Sequence, residues 1–482
     1  MAEQEGITIK KEDFSEWYTE VCNKAELADI RYNVKGFVVF RPWAVKTMNN
    51  MFKLLEDELE SKGHSPALFP AVIPESNFKK EAEHVEGFLP EVFWVTKAGS
   101  GAEKLEEPLA LRPTSETAMY KMYSIWVRSW RDLPLKIYQK CQVWRYEGKA
   151  TRPFIRGREF YWIEAHDVFE TEKEAMNQVK EDMETTENTI HKKFAIPFIF
   201  FQRPQHYKFA GAVNTYAADT ILPDGKVLQL PSTHLLGQNF SKSFNIKFTD
   251  KEKKERYTWQ TCYGPCVSRI FAAVIALHGD DKGLVLPPEI ASLQIIIVPI
   301  SKSKDDEIVK KAHDIYKKIK HKFSAMIDDR TEYTPGWKYN YWEMKGVPLR
   351  IEIGPRDLRN KQFMLVRRDT GEKIVVKENR IEEIEDVMKK IQENLIKKAD
   401  EYFKENLREA KNFDDMKNTL EKKGGIVKIE WCGKKACAED MKEKTSGGVI
   451  RGTMFGKEEK PKGMCVNCKT KATQVVYIAK QY

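Results

Sequence analysis

One stretch of the chain, residues 141–168, constrains its fold more than any other. Polar and aromatic residues alternate up to Tyr146, a second strand-like run occupies 158–168, and a loop rich in Gly, Arg and Pro lies between them. This pattern predicts an antiparallel hairpin with a long tip. Strand alternation gives the second strand one face that consists of Phe160, Trp162, Glu164 and His166. Aromatic, carboxylate and histidine side chains on one face are typical of a pocket wall.

Charged groups are concentrated near the tip of this hairpin, at Arg145, Glu147, Arg152, Arg156 and Arg158. Arginine binds phosphate and carboxylate groups bidentately, so the cluster favours a polyphosphate ligand. A solvated hairpin held by surface ion pairs would have the same composition. The residues alone leave both interpretations open.

Length and composition bound the class of protein. A chain of 482 residues is enough for about two to four domains, and 32% charged with 11% aromatic residues is typical of a globular chain. A net charge of +9 permits an anionic partner without requiring one. The N-terminus lacks the apolar core of a secretory signal, and the longest apolar runs, 270–277 and 293–300, are too short to cross a bilayer. Together with the thinly scattered cysteines, these features predict a cytoplasmic protein without a membrane partner.

Upstream of the hairpin, apolar residues at helical spacing predict a helix between Pro42 and Gly63. The segment 67–74 reads as a strand that its prolines confine to a sheet edge. Further on, Thr114 or Ser115 can cap a helix over 116–130 that has Glu116 in its first turn. The threonine and the glutamate can instead hold a substrate ammonium group, which needs a carboxylate and neutral acceptors in a semi-dry pocket.

Downstream of the hairpin, two segments combine polar side chains with regular structure. Residues 227–240 begin as a strand whose polar groups, Gln229, Ser232, Thr233 and His234, can pair with neighbours or face a ligand. Residues 262–269 form a glycine turn into an apolar helix whose first turn offers Arg269, and such a helix N-terminus suits an anion. Cys262 and Cys266 have no further ligands nearby in sequence, so we interpret them as packing thiols.

The remainder of the chain predicts two smaller domains. Strands alternate with helices over 289–398, which indicates an α/β domain. Its loop over 335–348 and the turn at 354–357 offer the stacking faces and hydrogen-bonding groups that unstacked bases need. A charged helical stretch over 400–423 follows, and then two cysteine pairs separated by 27 residues, Cys432 with Cys437 and Cys465 with Cys468. Such pairs predict a structural zinc site, with a redox role as the alternative.

Together these motifs resemble those of class II aminoacyl-tRNA synthetases, in particular the archaeal and eukaryotic type of prolyl-tRNA synthetase. Arg145-Tyr-Glu147, a variable loop, Arg156 and Phe160 resemble motif 2. The helix after Pro42 and its proline-bearing strand resemble motif 1, and residues 114–116 resemble the Thr-x-Glu loop. Residues 229–234 resemble the Gln-x-x-Ser/Thr-x-His segment. Residues 264–269 resemble motif 3 with one residue more than the usual spacing, which leaves the roles of 266–268 open.

The resemblance implies an α+β fold with three domains. Residues 1–288 would form the class II catalytic domain, an antiparallel sheet flanked by helices; 289–398 an α/β anticodon-binding domain; and 399–482 an α+β zinc-bearing C-terminal domain. Too few residues separate motifs 2 and 3 for the editing insertion of bacterial-type enzymes. The implied activity is activation of L-proline with ATP and Mg²⁺, followed by transfer to the 3′ end of tRNA(Pro), by a homodimer formed through motif 1.

The resemblance also implies the site residues. Catalysis is assigned to Arg145 and Arg269. Proline binding is assigned to Thr114, Glu116, Arg145, Trp162, Glu164, His166 and His234. ATP binding is assigned to Arg145, Glu147, Arg156, Phe160, Gln229, Ser232, Thr233 and Arg269. Anticodon binding is assigned to Trp337, Trp342, Glu343 and Arg356, and structural Zn²⁺ to Cys432, Cys437, Cys465 and Cys468.

Three alternatives remain at this level. A synthetase of the same subclass for another amino acid, with threonine the nearest, commonly holds an active-site zinc with Cys and His, and no such trio is apparent in the sequence. A non-catalytic paralogue that binds amino acid or tRNA is disfavoured by the intact Arg145, Glu147, Arg156 and Arg269. The zinc module can also be an independent nucleic-acid binder. Activation of cysteine beside proline stays open.

Overall fold

A long sheet organises the fold, and eleven of the described strands contribute to it. The computed structural model describes residues 6–78, 92–101, 103–148, 150–301, 303 and 306–482. The sheet is antiparallel apart from its two outermost pairs, which are parallel. Its strands follow one another in the order Leu407–Glu409, Ile426–Trp431, Gln474–Lys480, Gly448–Met454, Ile199–Gln202, Asn214–Ile221, Val227–Gly237, Trp259–Gly264, Glu159–Phe169, Leu135–Trp144 and Ser65–Pro66.

The predicted hairpin lies near one end of this sheet. Strands Leu135–Trp144 and Glu159–Phe169 pair from Leu135↔Val168 to Trp144↔Glu159, which confirms the expected pairing. One face of the second strand, with Ile163 and Ala165, packs in the largest apolar cluster together with residues of the helix Val267–His278. The polar face borders a cavity.

The helices of the first domain cover this sheet. The helix Pro42–Ser61 begins with proline at its first turn and buries the apolar stripe that the sequence predicts. The helix predicted over 116–130 ends at Trp126, because Val127 is extended. The other helices are Phe14–Lys24, Glu172–Thr186, Asn239–Ser243 and Val267–His278, with a 3₁₀ turn at Trp130–Asp132 and a π-helical turn at Glu187–His191. Small sheets comprise Ala28–Asp29 with Val39–Phe40, Lys247–Thr249 with Glu255–Tyr257, and Val72–Pro74, Glu103–Leu111 and Trp94–Ala98.

The second domain is the predicted α/β unit. Its sheet has the order Ala325–Ile327, Ile295–Pro299, Leu349–Ile353, Gln362–Arg367 and Lys373–Lys377, parallel over the first three strands and antiparallel over the rest. Its helices are Glu307–Ile319, Pro335–Met344, Pro355–Arg359, Glu383–Glu405 and the 3₁₀ turn Glu378–Arg380.

One secondary-structure prediction in this domain is wrong. The segment expected as a loop over 335–348 contains the helix Pro335–Met344. The Thr334 side chain caps it by accepting from the Trp337 amide, and Pro335 occupies the first turn. Tyr333, Trp337 and Tyr341, which follow at helical spacing, stack along one side of it. The aromatic residues that indicated a base-binding loop are therefore partly a helical stack.

The C-terminal domain is continuous with the first. Its strands form the far end of the long sheet, and Gly448–Met454 pairs with Ile199–Gln202 through Thr453↔Gln202 and Met454↔Phe201. Its helices are Phe413–Lys422 and Lys435–Lys444. The helix predicted over 400–423 is interrupted by the strand Leu407–Glu409, and the predicted boundary at 399 lies inside the helix Glu383–Glu405. In the described part of the chain, no helix combines the length and apolar character that a bilayer span requires.

Candidate active site

A cavity of about 470 Å³ opens on the polar face of the hairpin. The strands Glu159–Phe169, Trp259–Gly264 and Val227–Gly237 lie side by side in the sheet, so that residues distant in sequence converge there. The predicted residues that line it are Thr114, Glu116, Arg145, Phe160, Trp162, Glu164, His166, Gln229, Ser232, His234 and Arg269. All of the predicted proline residues and five of the eight predicted ATP residues therefore share one cavity.

Glu116 is a buried carboxylate in the wall of this cavity. It begins the helix Glu116–Trp126 and is 2% exposed. The Thr114 hydroxyl donates to one of its oxygens, and Cys262 Sγ lies 3.6 Å from the other. Within the described ranges, Glu116 forms no ion pair. A buried carboxylate is costly unless a positive charge compensates it, so the site suits a ligand ammonium group.

Glu164 and His166 form a buried pair on the same strand face. His166 Nε2 lies 3.0 Å from Glu164 Oε2, and Nδ1 lies 3.0 Å from the Tyr120 hydroxyl. Burial by itself lowers the pKa of His166, but the hydrogen bond to Glu164 and the charge of Glu116 outweigh burial and raise this pKa. Burial raises the pKa of Glu164, and the hydrogen bond from His166 with the charge of His166 reverses that, so the net pKa is lowered. Both shifts favour the charged form of the pair, because each group stabilises the charge of the other.

His234 is held by hydroxyl groups and is neutral. The Thr215 hydroxyl lies 2.9 Å from Nδ1 and the Ser232 hydroxyl 3.0 Å from Nε2. Burial lowers the pKa of His234 to about 3, and the positive charges of His166 and Arg203 act in the same direction. A neutral imidazole orients a substrate by shape and hydrogen bonding and brings no charge to it.

Four arginine and lysine residues line the cavity, and two of them, Arg145 and Arg269, lie beside the hairpin. The Arg145 guanidinium lies 5.4 Å from the centre of the Phe160 ring and 5.7 Å from that of Trp162, and its Nε donates to a backbone carbonyl at 3.0 Å. Arg269 is in the first turn of the helix Val267–His278, and its Nε donates to a hairpin carbonyl at 3.3 Å. Burial lowers the pKa of Arg145, and the charge of Arg269 lowers it further. Neither arginine forms an ion pair with any described residue, so an anionic ligand would be their natural partner.

The wall beside Arg145 depends on a glycine. A Cβ at Gly264 would lie 2.7 Å from Trp162 Cζ2, so only glycine at this point of the motif 3 turn leaves room for the indole. Trp162 Nε1 is buried without a hydrogen-bond partner among the described residues. A ligand acceptor would satisfy this donor.

Glu147 and Arg156 do not line the cavity. They lie toward the tip of the hairpin, where Arg156 Nη1 is 3.5 Å from Glu147 Oε2. Both residues were predicted to contact ATP, but in this structure they form an ion pair with each other. A nucleotide would have to exchange this ion pair for contacts of its own.

The strand Val227–Gly237 corrects one predicted residue. Its pairing with Asn214–Ile221 shifts register between Ala217↔Ser232 and Asp219↔Gln229, so that Gln229 and Ser232 can both face the cavity. Thr233 lies on the other side of the sheet because side chains alternate along a strand. Its hydroxyl donates to the buried Asp182 Oδ2 at 2.6 Å. Thr233, which was predicted to bind ATP, therefore does not line the cavity.

The cavity also contains a ligand set that the sequence did not reveal. Donor atoms of the buried residues Glu116, His166 and Cys262 all lie within 4.8 Å of one another. The expectation that the active site has no trio with cysteine and histidine is therefore corrected. His166 Nε2 is hydrogen-bonded to Glu164. Burial and the charge of Glu116 raise the pKa of the Cys262 thiol well above its usual range. In this structure His166 is engaged with Glu164, and Cys262 Sγ lies 3.6 Å from a Glu116 oxygen.

Sequence reasoning missed a group of lining residues between positions 203 and 215. They are Arg203, Tyr207, Lys208, Phe209 and Thr215. Thr215 orients His234, and Arg203 Nη2 donates to Gln229 Oε1 at 3.1 Å. Basic and aromatic residues alternate here as they do near the hairpin tip. The segment has no strand or helix periodicity that would have placed it against the cavity.

In the second domain, two of the predicted anticodon residues are accessible. Trp337 is half-buried and stacks against Tyr333 and Tyr341, with ring centroids 3.8 and 5.2 Å away. Arg330 lies over all three rings. Arg356 is exposed on the short helix Pro355–Arg359.

The other two predicted anticodon residues are engaged within the protein. Trp342 is 7% exposed, and its Nε1 donates to Asp328 Oδ2 at 2.8 Å, so its ring is not open to a stacking base. Glu343 accepts from Arg350 Nη1 at 3.1 Å, and Lys282 Nζ lies 3.7 Å from its other oxygen. Arg350 is thus the arginine that pairs with Glu343, and Arg356 lies on the separate helix Pro355–Arg359.

The four C-terminal cysteines converge as predicted. Their sulfur atoms lie within 4.8 Å of one another, and the sulfurs of Cys437 and Cys465 are 3.6 Å apart. Tetrahedral zinc at about 2.3 Å from each thiolate requires sulfur–sulfur distances of about 3.8 Å. All four are free thiols. The set fits a structural zinc ion better than a redox disulfide.

Comparison with known proteins agrees with this architecture. Residues 93–278 match the tRNA synthetase class II core domain (G, H, P, S and T), 294–394 the anticodon binding domain, and 413–482 the prolyl-tRNA synthetase C-terminal domain. The proline–tRNA ligase of Thermofilum pendens is 52% identical over 100% of both chains. That of Pyrococcus abyssi is 42% identical over 98% of both chains.

Two solved structures have the same fold. Giardia lamblia prolyl-tRNA synthetase in complex with prolyl-adenylate has a TM-score of 0.94 at 36% identity, over 99% of this chain and 100% of that one. The enzyme of Cryptosporidium parvum, complexed with halofuginone and AMPPNP, has a TM-score of 0.92 at 35% identity over 99% of both chains. With full-length relatives and a matching C-terminal domain, this chain belongs to the prolyl-tRNA synthetase family of class II aminoacyl-tRNA synthetases.

Proposed function

We propose that this protein is a proline–tRNA ligase, which activates L-proline with ATP and transfers it to tRNA(Pro). One observation carries the proposal: Glu116 lies in the same cavity as Arg145 and Arg269, and none of the three has an ion-pair partner among the described residues. A zwitterionic amino acid and a polyphosphate need opposite protein charges in one place. A relative of the same fold was solved with prolyl-adenylate, which combines the two ligands.

The proline end of the cavity is the acidic one. A secondary ammonium group has two N–H donors, and the Glu116 carboxylate and the Thr114 hydroxyl oxygen are the acceptors for them. The Trp162 indole and the neutral His234 would enclose the ring. Because Glu164 is already hydrogen-bonded to His166, Glu116 is the group that compensates the ammonium charge.

The phosphate end is the basic one. A carboxylate oxygen of proline attacks the α-phosphorus, an oxygen–phosphorus bond forms, the bond to the bridging oxygen breaks, and pyrophosphate leaves. Two anions must meet in line, so the barrier is lowered mainly by position and positive charge. Arg145 would contact both the carboxylate and the α-phosphate, and Arg269 and Arg156 the β- and γ-phosphates. Mg²⁺ bound with ATP supplies further positive charge to the phosphates.

The remaining nucleotide contacts follow the predicted roles. Phe160 would stack on adenine, and Glu147 would accept from the adenine amino group once its ion pair with Arg156 has opened. Gln229 and Ser232 line the cavity and would contact the ribose or phosphates. Thr233 has no part in this proposal.

Transfer requires the tRNA to reach both domains. A hydroxyl of its terminal ribose attacks the adenylate carbonyl carbon, and AMP leaves. In the second domain, Glu343 would accept from the two donors on the Watson–Crick edge of a guanine, which every proline anticodon contains, once its ion pairs with Arg350 and Lys282 have opened. Trp337 already stacks with Tyr333 and Tyr341 and would have to exchange one of these rings for a base, whereas Arg356 is exposed for contact with the base or backbone.

Two assembly features complete the proposal. The four C-terminal cysteines would hold a structural zinc ion, which stabilises the end of the long sheet. The homodimer would form through the motif 1 region, where Leu68 is 84% exposed. Light scattering on the purified protein distinguishes a dimer from a monomer.

The deciding experiment is ATP–pyrophosphate exchange measured with each of the twenty amino acids. Proline should support the fastest exchange by a wide margin. The trio of Glu116, His166 and Cys262 has donor atoms close enough to hold a metal ion, which a threonine-type enzyme would use in its pocket. Exchange driven mainly by threonine, together with a second metal ion per chain, would replace proline by that rival. Exchange with no amino acid would refute the enzymatic proposal as a whole.

A further inference from the structure

Behind the cavity, a carboxylate of the first domain is shared by arginines from two domains. Asp219 is 0% exposed and lies on the strand Asn214–Ile221. Arg203 donates through both terminal nitrogens to its two oxygens at 2.8 Å. Arg451, from the C-terminal domain, donates through Nε and Nη2 to the same two oxygens at 2.8 and 2.9 Å. Each carboxylate oxygen therefore accepts two charge-assisted hydrogen bonds.

The backbone at Arg451 is shaped for this contact. The pairing of Gly448–Met454 with Gln474–Lys480 shifts register between Ile450 and Gly452, so that Arg451 is the extra residue of a β-bulge. A Cβ at Gly452 would lie 1.9 Å from the Gln202 carbonyl oxygen, so only glycine allows the two strands to approach at this point. The bulge directs Arg451 toward Asp219, and the glycine keeps the domains in contact.

The network extends from Arg451 into the cavity. Arg203 donates to the backbone carbonyl of Arg451 at 2.8 Å and to Gln229 Oε1 at 3.1 Å. Both Arg203 and Gln229 line the cavity. Because Arg203 engages the acceptor oxygen of Gln229, the amide nitrogen is the group that Gln229 can offer to a ligand. The chain of contacts is thus Arg451, Asp219, Arg203 and Gln229.

Docking of the C-terminal domain does not account for this network. The domains are already joined by strand pairing and by an apolar cluster that includes Phe201, Ile426 and Tyr477. Burying an ion triad carries a large desolvation cost, so it is a poor means of adding stability. Burial by itself raises the pKa of Asp219, but Arg203 and Arg451 together bring it down to about 2. The triad is charged throughout the physiological range.

We propose that Arg451 is a positioning residue for adenylate formation, which acts through Asp219 and Arg203 to hold Gln229 in the orientation that binds the nucleotide. The C-terminal domain is then a part of the active-site framework. The inference depends on the proposed function for the identity of the ligand at Gln229.

The test is proline-dependent ATP–pyrophosphate exchange, with kcat and the KM for ATP measured separately and unfolding midpoints measured in parallel. Arg451→Met removes the forked donors and keeps an apolar stem of similar length. It should raise the KM for ATP about tenfold or more, because hydrogen bonds to a buried charge are lost. Arg451→Lys should lie near the Met variant, since an ammonium cannot make two parallel bonds. As a matched control, Tyr402→Phe removes another interdomain hydrogen bond, from Tyr402 to the Leu222 carbonyl, and should keep wild-type kinetics.

A double-mutant cycle separates positioning from docking. In a Gln229→Ala background the Arg451→Met change should cost less than about twofold in the KM for ATP, because the residue it acts through is gone. Full additivity of the two changes, or wild-type kinetics in Arg451→Met, would overturn the inference. If Arg451→Met does not fold, the same cycle with Arg451→Lys decides. If wild-type protein shows no pyrophosphate exchange with any amino acid, the proposed function is refuted, and the inference that depends on it is refuted as well.

Discussion

Replacing Arg145 should abolish most adenylate formation without destabilising the protein. Its Nε is already committed to the Pro113 carbonyl at 3.0 Å, which leaves the two Nη groups for ligands. Losing one preorganised donor to a developing charge costs about 3 kcal/mol, or ~100-fold in rate, and two donors set an upper end near ~10,000-fold. We therefore expect Arg145→Ala to lower proline-dependent pyrophosphate exchange by about 100-fold to 10,000-fold.

The thermal stability of Arg145→Ala should not fall with its activity. Burial and the charge of Arg269 both lower the pKa of Arg145, so the folded protein disfavours this cation when no ligand is bound. Its removal should leave the unfolding midpoint of the free protein equal to or above that of the wild type. This combination is typical of a group placed for function at the expense of stability.

The measurements are pyrophosphate exchange and thermal unfolding on the same preparations. Arg145→Lys keeps a charge but loses the fork, and should recover only part of the activity. Arg131→Ala is the matched control, because Arg131 also lies over an aromatic ring, 4.7 Å from the centre of Trp130, but on the surface. Near-normal exchange by Arg145→Ala would refute the assignment. If Arg145→Ala loses activity and its unfolding midpoint also falls, Arg145 has a structural role.

Three further predictions concern other parts of the chain. Metal analysis of protein purified without chelator should find about one zinc per chain. The Cys465→Ser/Cys468→Ser variant should lose this zinc and unfold at a lower midpoint, and wild-type protein that contains no zinc would contradict the site. Glu343→Ala should weaken charging of tRNA and reduce discrimination against altered anticodon guanines by about 1–3 kcal/mol, yet leave pyrophosphate exchange intact. Glu385→Ala, which removes a surface pair with Lys322, is its control, and unchanged discrimination in Glu343→Ala would exclude Glu343 as a reader. The hydrogen bond to Glu187, together with Asp400 on the helix Glu383–Glu405, raises the pKa of His191. The stabilisation that protonated His191 gives the fold is therefore fully present below about pH 6.5 and is lost as the pH rises through the raised pKa. The difference in unfolding midpoint between wild type and His191→Asn should therefore shrink from pH 6 to about pH 9, and a difference that grows would reverse this assignment.

The sequence by itself determined much of the local structure and most of the candidate site. Period-two alternation places Phe160, Trp162, Glu164 and His166 on one face of a strand, and the structure puts all four in the wall of one cavity. The cysteine spacing likewise predicted the sulfur cluster. These features depend on neighbours within one strand or one loop, where backbone geometry dictates which side chains share a face.

Features that depend on how distant segments meet were decided only by the tertiary structure. The shift in register between Ala217 and Asp219 allows Gln229 and Ser232 to share a face and turns Thr233 away from it. The aromatic run at 335–344 became a helix because a threonine cap and a proline at its start outweighed its loop-like composition. The contact between Arg451 and Asp219 joins residues 232 positions apart. It depends on a β-bulge at Arg451 that no local sequence pattern predicts. Side-chain partners across a sheet are set by register and by the packing of whole domains, and neither is encoded in the periodicity of a single segment.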